Sequence, residues 1–356
     1  MPHKRVGHRV FKSEIQFVRW LQSHAPLRGR ELRMGIGDDA ALVRPHRGQE
    51  LILTTDLSVE GIHFTRHLHT PQSVGHRALA RALSDIAAMG GKPKFALVSI
   101  ALSEKSPGNW ARDFYQGLFR LARRFSVSVI GGDTSVHTGS ILVDVVATGE
   151  VPYGRAMLRS GASVGDQIFV GGKLGSSALG LKMLKSDKRP NSQKTRNESI
   201  KAHLFPEPQI RLGEFLSKER IATSAMDLSD GLSIDLMRLC EASGVGARID
   251  ASLLPLPATP MPMEMTAREA ERLALHGGED YKLLFTVSPQ RAQGLSRKVA
   301  DREVFRIGQI TRARTLLLIR DDGREERLAP QGYDHFRKRR RADRAGAKTS
   351  TEFGTK

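Results

Sequence analysis

Gly35-Ile-Gly-Asp-Asp-Ala-Ala-Leu-Val43, a polar turn, and then Leu51-Ile-Leu-Thr-Thr-Asp56 set three carboxylates among glycines and hydroxyls at the borders of apolar runs. The carboxylates are Asp38, Asp39 and Asp56. Leu51-Ile52-Leu53 reads as a buried strand, with Thr54, Thr55 and Asp56 at its exit. Carboxylates crowded in this way repel one another unless a cation lies between them. Oxygen ligands without histidine or cysteine suit Mg²⁺, which commonly bridges to phosphate oxygens. An acidic turn followed by a strand cap accounts for the same residues, so the rest of the chain has to decide.

Downstream, Thr70-Pro71 supplies an N-cap and a first-turn proline for a helix carrying Val74, Ala78, Leu79, Ala82, Leu83 and Ile86. That helix stops near Gly90-Gly91-Lys-Pro93 and holds Asp85 close to its C-terminal end, where the backbone dipole disfavours negative charge unless a cation is bound. Phe95–Leu102 reads as a strand. A helix follows from about Pro107 to Arg124. Val127–Ile130 is a strand running into Gly131-Gly-Asp-Thr134, with Asp133 at its exit. Upstream, Phe11, Ile15, Val18 and Leu21 mark an amphipathic opening helix.

A second unit begins near Val151-Pro-Tyr-Gly154. Gly165–Gly172 is a strand ending in glycines. Gly175-Ser-Ser-Ala-Leu-Gly180 opens a helix and reads equally well as a phosphate cradle or a plain cap. Residues 185–201 form a polar loop or exposed helix end. Met226-Asp-Leu-Ser-Asp-Gly231 precedes a helix whose Cys240 belongs to the core. Gly277-Gly-Glu-Asp-Tyr281 puts two acids between a turn and a strand, and residues 290–300 look helical.

The chain of 356 residues is long enough for two domains. We expect an α/β fold of the α+β kind, with units at 1–152 and 153–336 and a basic, disordered tail at 337–356. One cysteine excludes an internal disulfide and a multi-cysteine zinc site. No apolar run is long enough to span a membrane, and no secretory signal follows the basic N-terminus, so the cytoplasm is the expected location. The net charge of +18 favours polyanionic partners, with Arg337-Lys-Arg-Arg-Arg341 in the tail as the place where nucleic acid could be met.

Taken in order, seven motifs resemble the thiamine-monophosphate kinase family, within the ATP-binding superfamily that includes aminoimidazole ribonucleotide synthetase. They are Gly35–Leu42, Thr54-Thr-Asp-Leu57 with Gly61-Ile-His-Phe64, Ala82–Gly90, Ile130–Thr134, Met226–Gly231, Gly277–Tyr281 and Gly332-Tyr-Asp-His-Phe336. The resemblance covers about residues 10–336. It implies a homodimer whose N-terminal sheets form a barrel, ATP and several Mg²⁺ ions between the units, and γ-phosphoryl transfer to thiamine monophosphate.

Carried over by position, the resemblance implies Mg²⁺ binding at Asp39, Thr54, Thr55, Asp56, Asp85, Asp133, Asp227 and Asp230, with Asp38 beside the first. It implies ATP contacts at Gly132, Asp133, Arg159, Ser229 and Tyr115, and thiamine monophosphate contacts at His63, Glu279 and Tyr333. Asp133, Arg159 and Asp230 would act most directly on the transfer. The acceptor is already a phosphate oxyanion, so a ring of metal-holding aspartates and a cationic clamp meet its needs better than a nucleophile or strong base. Two other readings stand beside this one. One is another ATP-dependent member of the superfamily; the other is a basic nucleic-acid-binding protein on a degenerate scaffold.

Overall fold

The computed structural model describes residues 14–26, 31–34, 36, 42–106, 108–186, 193–257 and 265–331. Asp38, Asp39, Tyr333 and the basic tail lie outside these residues. Among the described residues no helix is long and apolar enough to cross a membrane.

The first half contains α1 (Glu14–His24), β1 (Leu32–Met34), β2 (Leu42–Val43), β3 (Gln49–Val59), α2 (Pro71–Ala88), β4 (Lys92–Ser103), α3 (Trp110–Arg124), β5 (Ser128–His137) and β6 (Leu142–Pro152). The long strands form one sheet in the order β3-β6-β4-β5, antiparallel except for the β4–β5 pair. Helix α2 starts as its sequence dictates. The Thr70 side chain accepts from the Ser73 amide at 3.2 Å, and Pro71 occupies the first turn, where its missing N–H costs nothing. Val74, Ala78, Leu79, Ala82, Leu83 and Ile86 are all buried against the sheet and α3. The two helices touch backbone to backbone: a Cβ on Gly75 would lie 2.0 Å from the Phe114 carbonyl oxygen, and one on Gly117 1.9 Å from that of Gln72.

The other face of this sheet is open. On β3, Ile52 and Ser58 point toward α2, whereas Leu51, Leu53 and Leu57 are 49%, 66% and 52% exposed. The stretch expected to be a buried strand is therefore an edge strand with apolar residues on both faces. Its Thr54, Thr55 and Asp56 lie mid-strand rather than at an exit, because pairing with β6 runs on to Val59.

The second half contains β7 (Gln167–Val170), α4 (Ser176–Lys185), α5 (Gln193–Leu204), α6 (Ile210–Lys218), β8 (Ala222–Asp227), α7 (Leu232–Ser243), β9 (Gly246–Asp250), α8 (Ala267–His276), β10 (Leu283–Val287), α9 (Pro289–Ala292), β11 (Lys298–Val299), β12 (Arg302–Glu303), β13 (Phe305–Thr311), β14 (Leu316–Ile319) and β15 (Glu325–Arg327). Seven of its strands make a sheet in the order β15-β14-β9-β13-β7-β10-β8. One face packs with α7 and α8, burying Leu236, Leu239, Ile249 and Leu284; Cys240 sits in that core, as expected. From the other face Phe169, Phe285 and Val287 join the same apolar cluster as α2 and α6, which welds the halves together. Of the stretch expected as a polar loop or exposed helix end, residues from Gln193 onward belong to α5, whose Ser199 and His203 are buried rather than exposed. The helix expected across 290–300 is confined to α9; β11 and a left-handed turn at Ala300 and Asp301 take the remainder.

Candidate active site

Where the halves meet, a cleft of about 470 Å³ is lined from both sides. This is within the usual range for a small-molecule site. Asp56 comes from β3, Arg81 and Asp85 from α2, Asp227 from the end of β8, and Ser229 and Asp230 from the turn before α7. Ile62 and His63 come from the turn after β3, Ala178, Leu181 and Lys185 from α4, and Gly278, Glu279 and Tyr281 from the turn before β10.

At one end of the cleft the carboxylates disturb one another. The Thr54 hydroxyl donates to Asp85 at 2.5 Å, and that of Ser84 donates to Asp227 at 2.8 Å. Burial raises the proton affinity of Asp227, and the negative charge of Asp85 raises it further. Asp85 is likewise raised by burial, against the Thr54 hydrogen bond and the positive charges of Arg159 and Arg81. Asp56 is pushed up to about 6 by burial, despite its 2.9 Å ion pair with Arg81. Mutually frustrated carboxylates of this kind favour a bound cation.

The donor set contains hydroxyl and carboxylate oxygens, which fit a hard divalent cation. Among the described residues, no three acidic or imidazole side chains already converge on one ion. Asp56 is held by Arg81, Asp85 by Thr54, and Asp230 by Arg238 at 2.6 Å. Such separated ligands suit an ion whose shell is completed by water and phosphate oxygens.

The opposite end is built on a strained turn. Glu279 and Tyr281 have φ of +67° and +49°, the left-handed region that costs a side-chain-bearing residue energy and recurs at functional sites. Backbone bonds from Glu279 N to Ser229 O (2.7 Å) and from Tyr281 N to Leu228 O (2.9 Å) tie this turn to the aspartate turn. Arg77 pairs with Glu279 at 2.5 Å. Burial pushes the Glu279 carboxyl up, but Arg77 and the neighbouring cations outweigh it and hold the group below its ordinary value. His63 accepts from the Val59 amide at 3.0 Å.

Asp280 faces away from the cleft. It is buried and accepts from the Gly175 and Ser177 amides, capping α4. The Gly175–Gly180 turn is thus a helix cap, because a carboxylate of this chain already takes the donors that a phosphate would need.

The remaining expected residues lie elsewhere. Thr55 projects from the open sheet face, where its hydroxyl donates to Asp144 at 2.7 Å. Asp133 is exposed on β5, mid-strand rather than at a strand exit, and paired in register with Ser99. A Cβ at Gly132 would fall 1.9 Å from the Val98 carbonyl oxygen, so strand packing alone demands that glycine. Arg159 is exposed, and its carbonyl accepts from Ser243. Tyr115, expected as an ATP contact, has its ring 2% exposed and packed among Phe17, Trp20, Phe114 and Phe119, outside the cleft lining. Arg77, Arg81, Lys185 and Tyr281 escaped the reading of the sequence. The spacing of Arg77, Arg81 and Asp85, at i, i+4 and i+8 on one helix face, was the signal available for the arginines.

Comparison with known proteins matches the model "AIR synthase related protein, N-terminal domain" to residues 37–151. The model "AIR synthase related protein, C-terminal domain" matches residues 163–319. The thiamine-monophosphate kinase of Bacillus subtilis (strain 168) is 37% identical over 308 residues, spanning 85% of this chain and 94% of the relative. The crystal structure of the Stenotrophomonas maltophilia K279a thiamine-monophosphate kinase superimposes with a TM-score of 0.76 at 31% identity, covering 88% of this chain and 96% of that one. A structure described as AaThiL complexed with AMPPCP and TMP gives a TM-score of 0.71 at 31% identity, covering 94% and 99%.

Proposed function

From a chain that belongs to the AIR synthase related family, and within it to the thiamine-monophosphate kinases, we infer an ATP-dependent phosphorylation of thiamine monophosphate to thiamine diphosphate. The γ-phosphoryl group of ATP passes to a phosphate oxygen of the acceptor, and ADP leaves. The observation that carries this reading is the meeting, in one cleft, of an aspartate end and an Ile62–His63–Glu279 end contributed by both halves.

The chain's task is to bring two polyanions into line. Asp56, Asp85, Asp227 and Asp230, with Thr54 and Thr55 and with Asp39 outside the described residues, would hold Mg²⁺. When bound, Mg²⁺ neutralises phosphate charge and fixes the geometry of the transfer. Arg81 and Lys185 add positive charge from the cleft wall, and Arg159 stands within electrostatic reach of Asp85. Ile62, Ala178 and Leu181 offer an apolar wall to the thiamine rings, while His63 and Glu279 give polar contacts there. No residue needs to deprotonate the acceptor, which is already an oxyanion.

A homodimer belongs to the same reading. Leu51, Leu53 and Leu57 leave the open sheet face apolar along β3, and a second copy laid against it would close a barrel. Thr55 and Asp133 leave this face from opposite edges. Pairing β3 with β5 of a second copy would bring Asp133 of the partner subunit to Thr55 and Asp144 at the edge of the site. A cytoplasmic setting, where ATP is available, completes the reading.

The test is an ADP-release assay with Mg²⁺, ATP and thiamine monophosphate, with the product identified by chromatography. Thiamine diphosphate is expected from the wild type only with metal, and Asp85→Asn is expected to lose at least about a hundredfold in kcat. ADP release without thiamine diphosphate would overturn the reading.

A further inference from the structure

Glu279 is the acid at the thiamine end of the cleft, and it does not stand alone. Arg77, 3% exposed on α2, donates through Nη2 to Glu279 Oε1 at 2.5 Å and to the His63 carbonyl at 3.4 Å. Through Nη1 it donates to the His203 carbonyl in the last turn of α5. One guanidinium therefore ties together the His63 turn, the Glu279 turn and the end of α5. Its planar fork of donors is suited to holding three acceptors at fixed angles.

Behind the carboxylate lies a second connection. His203 Nδ1 is 3.7 Å from Glu279 Oε2 and 3.0 Å from the Ser177 hydroxyl, and its Nε2 is 3.1 Å from Nε2 of His69. His69 Nδ1 faces both the amide and the carbonyl of Thr65 at 3.2 Å. Burial holds both imidazoles neutral, pushing His69 down to about 4 and His203 to about 3. Two neutral rings meeting through Nε2 atoms need one donor and one acceptor. The ionised Glu279 selects the order: the Thr65 amide donates to His69 Nδ1, His69 Nε2–H donates to His203, and His203 Nδ1–H points toward Ser177 and Glu279. The reverse order would aim a nitrogen lone pair at a carboxylate.

We propose that Arg77, backed by the His69–His203 pair, is the positioning group that keeps Glu279 an ionised, fixed hydrogen-bond acceptor for the thiamine moiety. This rests on the reading of Glu279 as a substrate contact. Without the guanidinium, burial favours a neutral carboxyl that presents a donor where the substrate needs an acceptor. Without the histidines, Oε2 loses the group that fixes its orientation. None of the three side chains is assigned to touch the substrate.

The experiment measures KM for thiamine monophosphate, KM for ATP, kcat and the unfolding midpoint for Glu279→Gln, Arg77→Gln, Arg77→Lys and His203→Leu. Glu279→Gln and Arg77→Gln are each expected to raise KM for thiamine monophosphate about tenfold, with KM for ATP within about twofold of wild type. Arg77→Lys should recover most of the loss, and His203→Leu should show a smaller rise in the same constant. If Glu279→Gln leaves KM for thiamine monophosphate unchanged, both the substrate contact and the positioning role fall. If Glu279→Gln raises it but Arg77→Gln and His203→Leu lower only the unfolding midpoint, the contact stands and the positioning role is refuted. Should Arg77→Gln fail to fold, His203→Leu decides by the same criterion.

Discussion

Asp56 and Asp133 sit on the two opposite edge strands of one four-stranded sheet and leave it by opposite faces. Asp56 turns toward α2 and pairs with Arg81; Asp133 shares the open face with Ser99 and Asp144, its registered neighbours across the sheet. In one copy of the chain the two carboxylates therefore point to opposite sides of the sheet.

Intersubunit complementation follows if the partner supplies Asp133. Asp56→Asn and Asp133→Asn should each be inactive as homodimers. Co-expressed, they should form a heterodimer with one intact site, and random pairing gives about a quarter of wild-type activity. Purified co-expressed protein with no activity above that of either parent would refute shared sites.

Acid should destabilise the fold through its buried histidines. The folded-state values of His69 and His203 lie below the unfolded value of 6.5, so the unfolded chain binds more protons. Their stabilising contribution is complete above about pH 6.5 and is lost as pH falls toward 4. At pH 5.5 each should cost about 1.4 kcal/mol relative to neutral pH. Urea unfolding at pH 7.5 and 5.5 tests this: the difference should shrink by about that amount in His203→Asn.

Removing the α4 cap should be costly. Asp280→Ala leaves the Gly175 and Ser177 amides buried without their acceptor, an expected loss of about 2–3 kcal/mol. Because α4 carries Leu181 and Lys185 into the cleft, a rise in KM for thiamine monophosphate should accompany the lower unfolding midpoint. An unchanged midpoint would show that the cap contributes no net stability.

Gly117→Ala should separate α2 from α3. The new methyl would meet the Gln72 carbonyl at 1.9 Å, and backbone cannot yield as a side chain does. We expect about 3 kcal/mol of destabilisation or insoluble protein, against less than about 0.5 kcal/mol for the exposed Gln116→Ala. Equal midpoints for the two variants would contradict the close crossing.

Much of this architecture is legible in the sequence where local chemistry and tertiary packing agree. Thr70-Pro71 announced α2 because capping is a local event, and the acids clustered in motifs because one cleft must concentrate them. The edge strand was misread because Leu51, Ile52 and Leu53 are all apolar. That run hides the alternation between a packed face and an open one. The stretch containing α5 reads as a loop or an exposed helix end because residues 193–199 lack an apolar stripe, whereas its inner face is secured by the polar Ser199 and His203. Tyr115 lies on α3 between Phe114 and Phe119, and its ring belongs to their apolar cluster. Asp280 and Glu279 differ by one position yet face opposite ways, which only the left-handed turn explains.

The shared face of α2 has a mechanical meaning. Arg77 and Asp85 are separated by eight residues, about 12 Å of helical rise, so one rod sets the span between the Glu279 end of the cleft and its aspartate end. That rod is clamped by Thr70 at its start and wedged against α3 by Gly75 and Gly117, so the helix sets the cleft's length and the surrounding turns set its width. Acceptors of a different length would be rejected by a ruler rather than by a gate, and altering that selectivity would require rebuilding the helix instead of editing a loop.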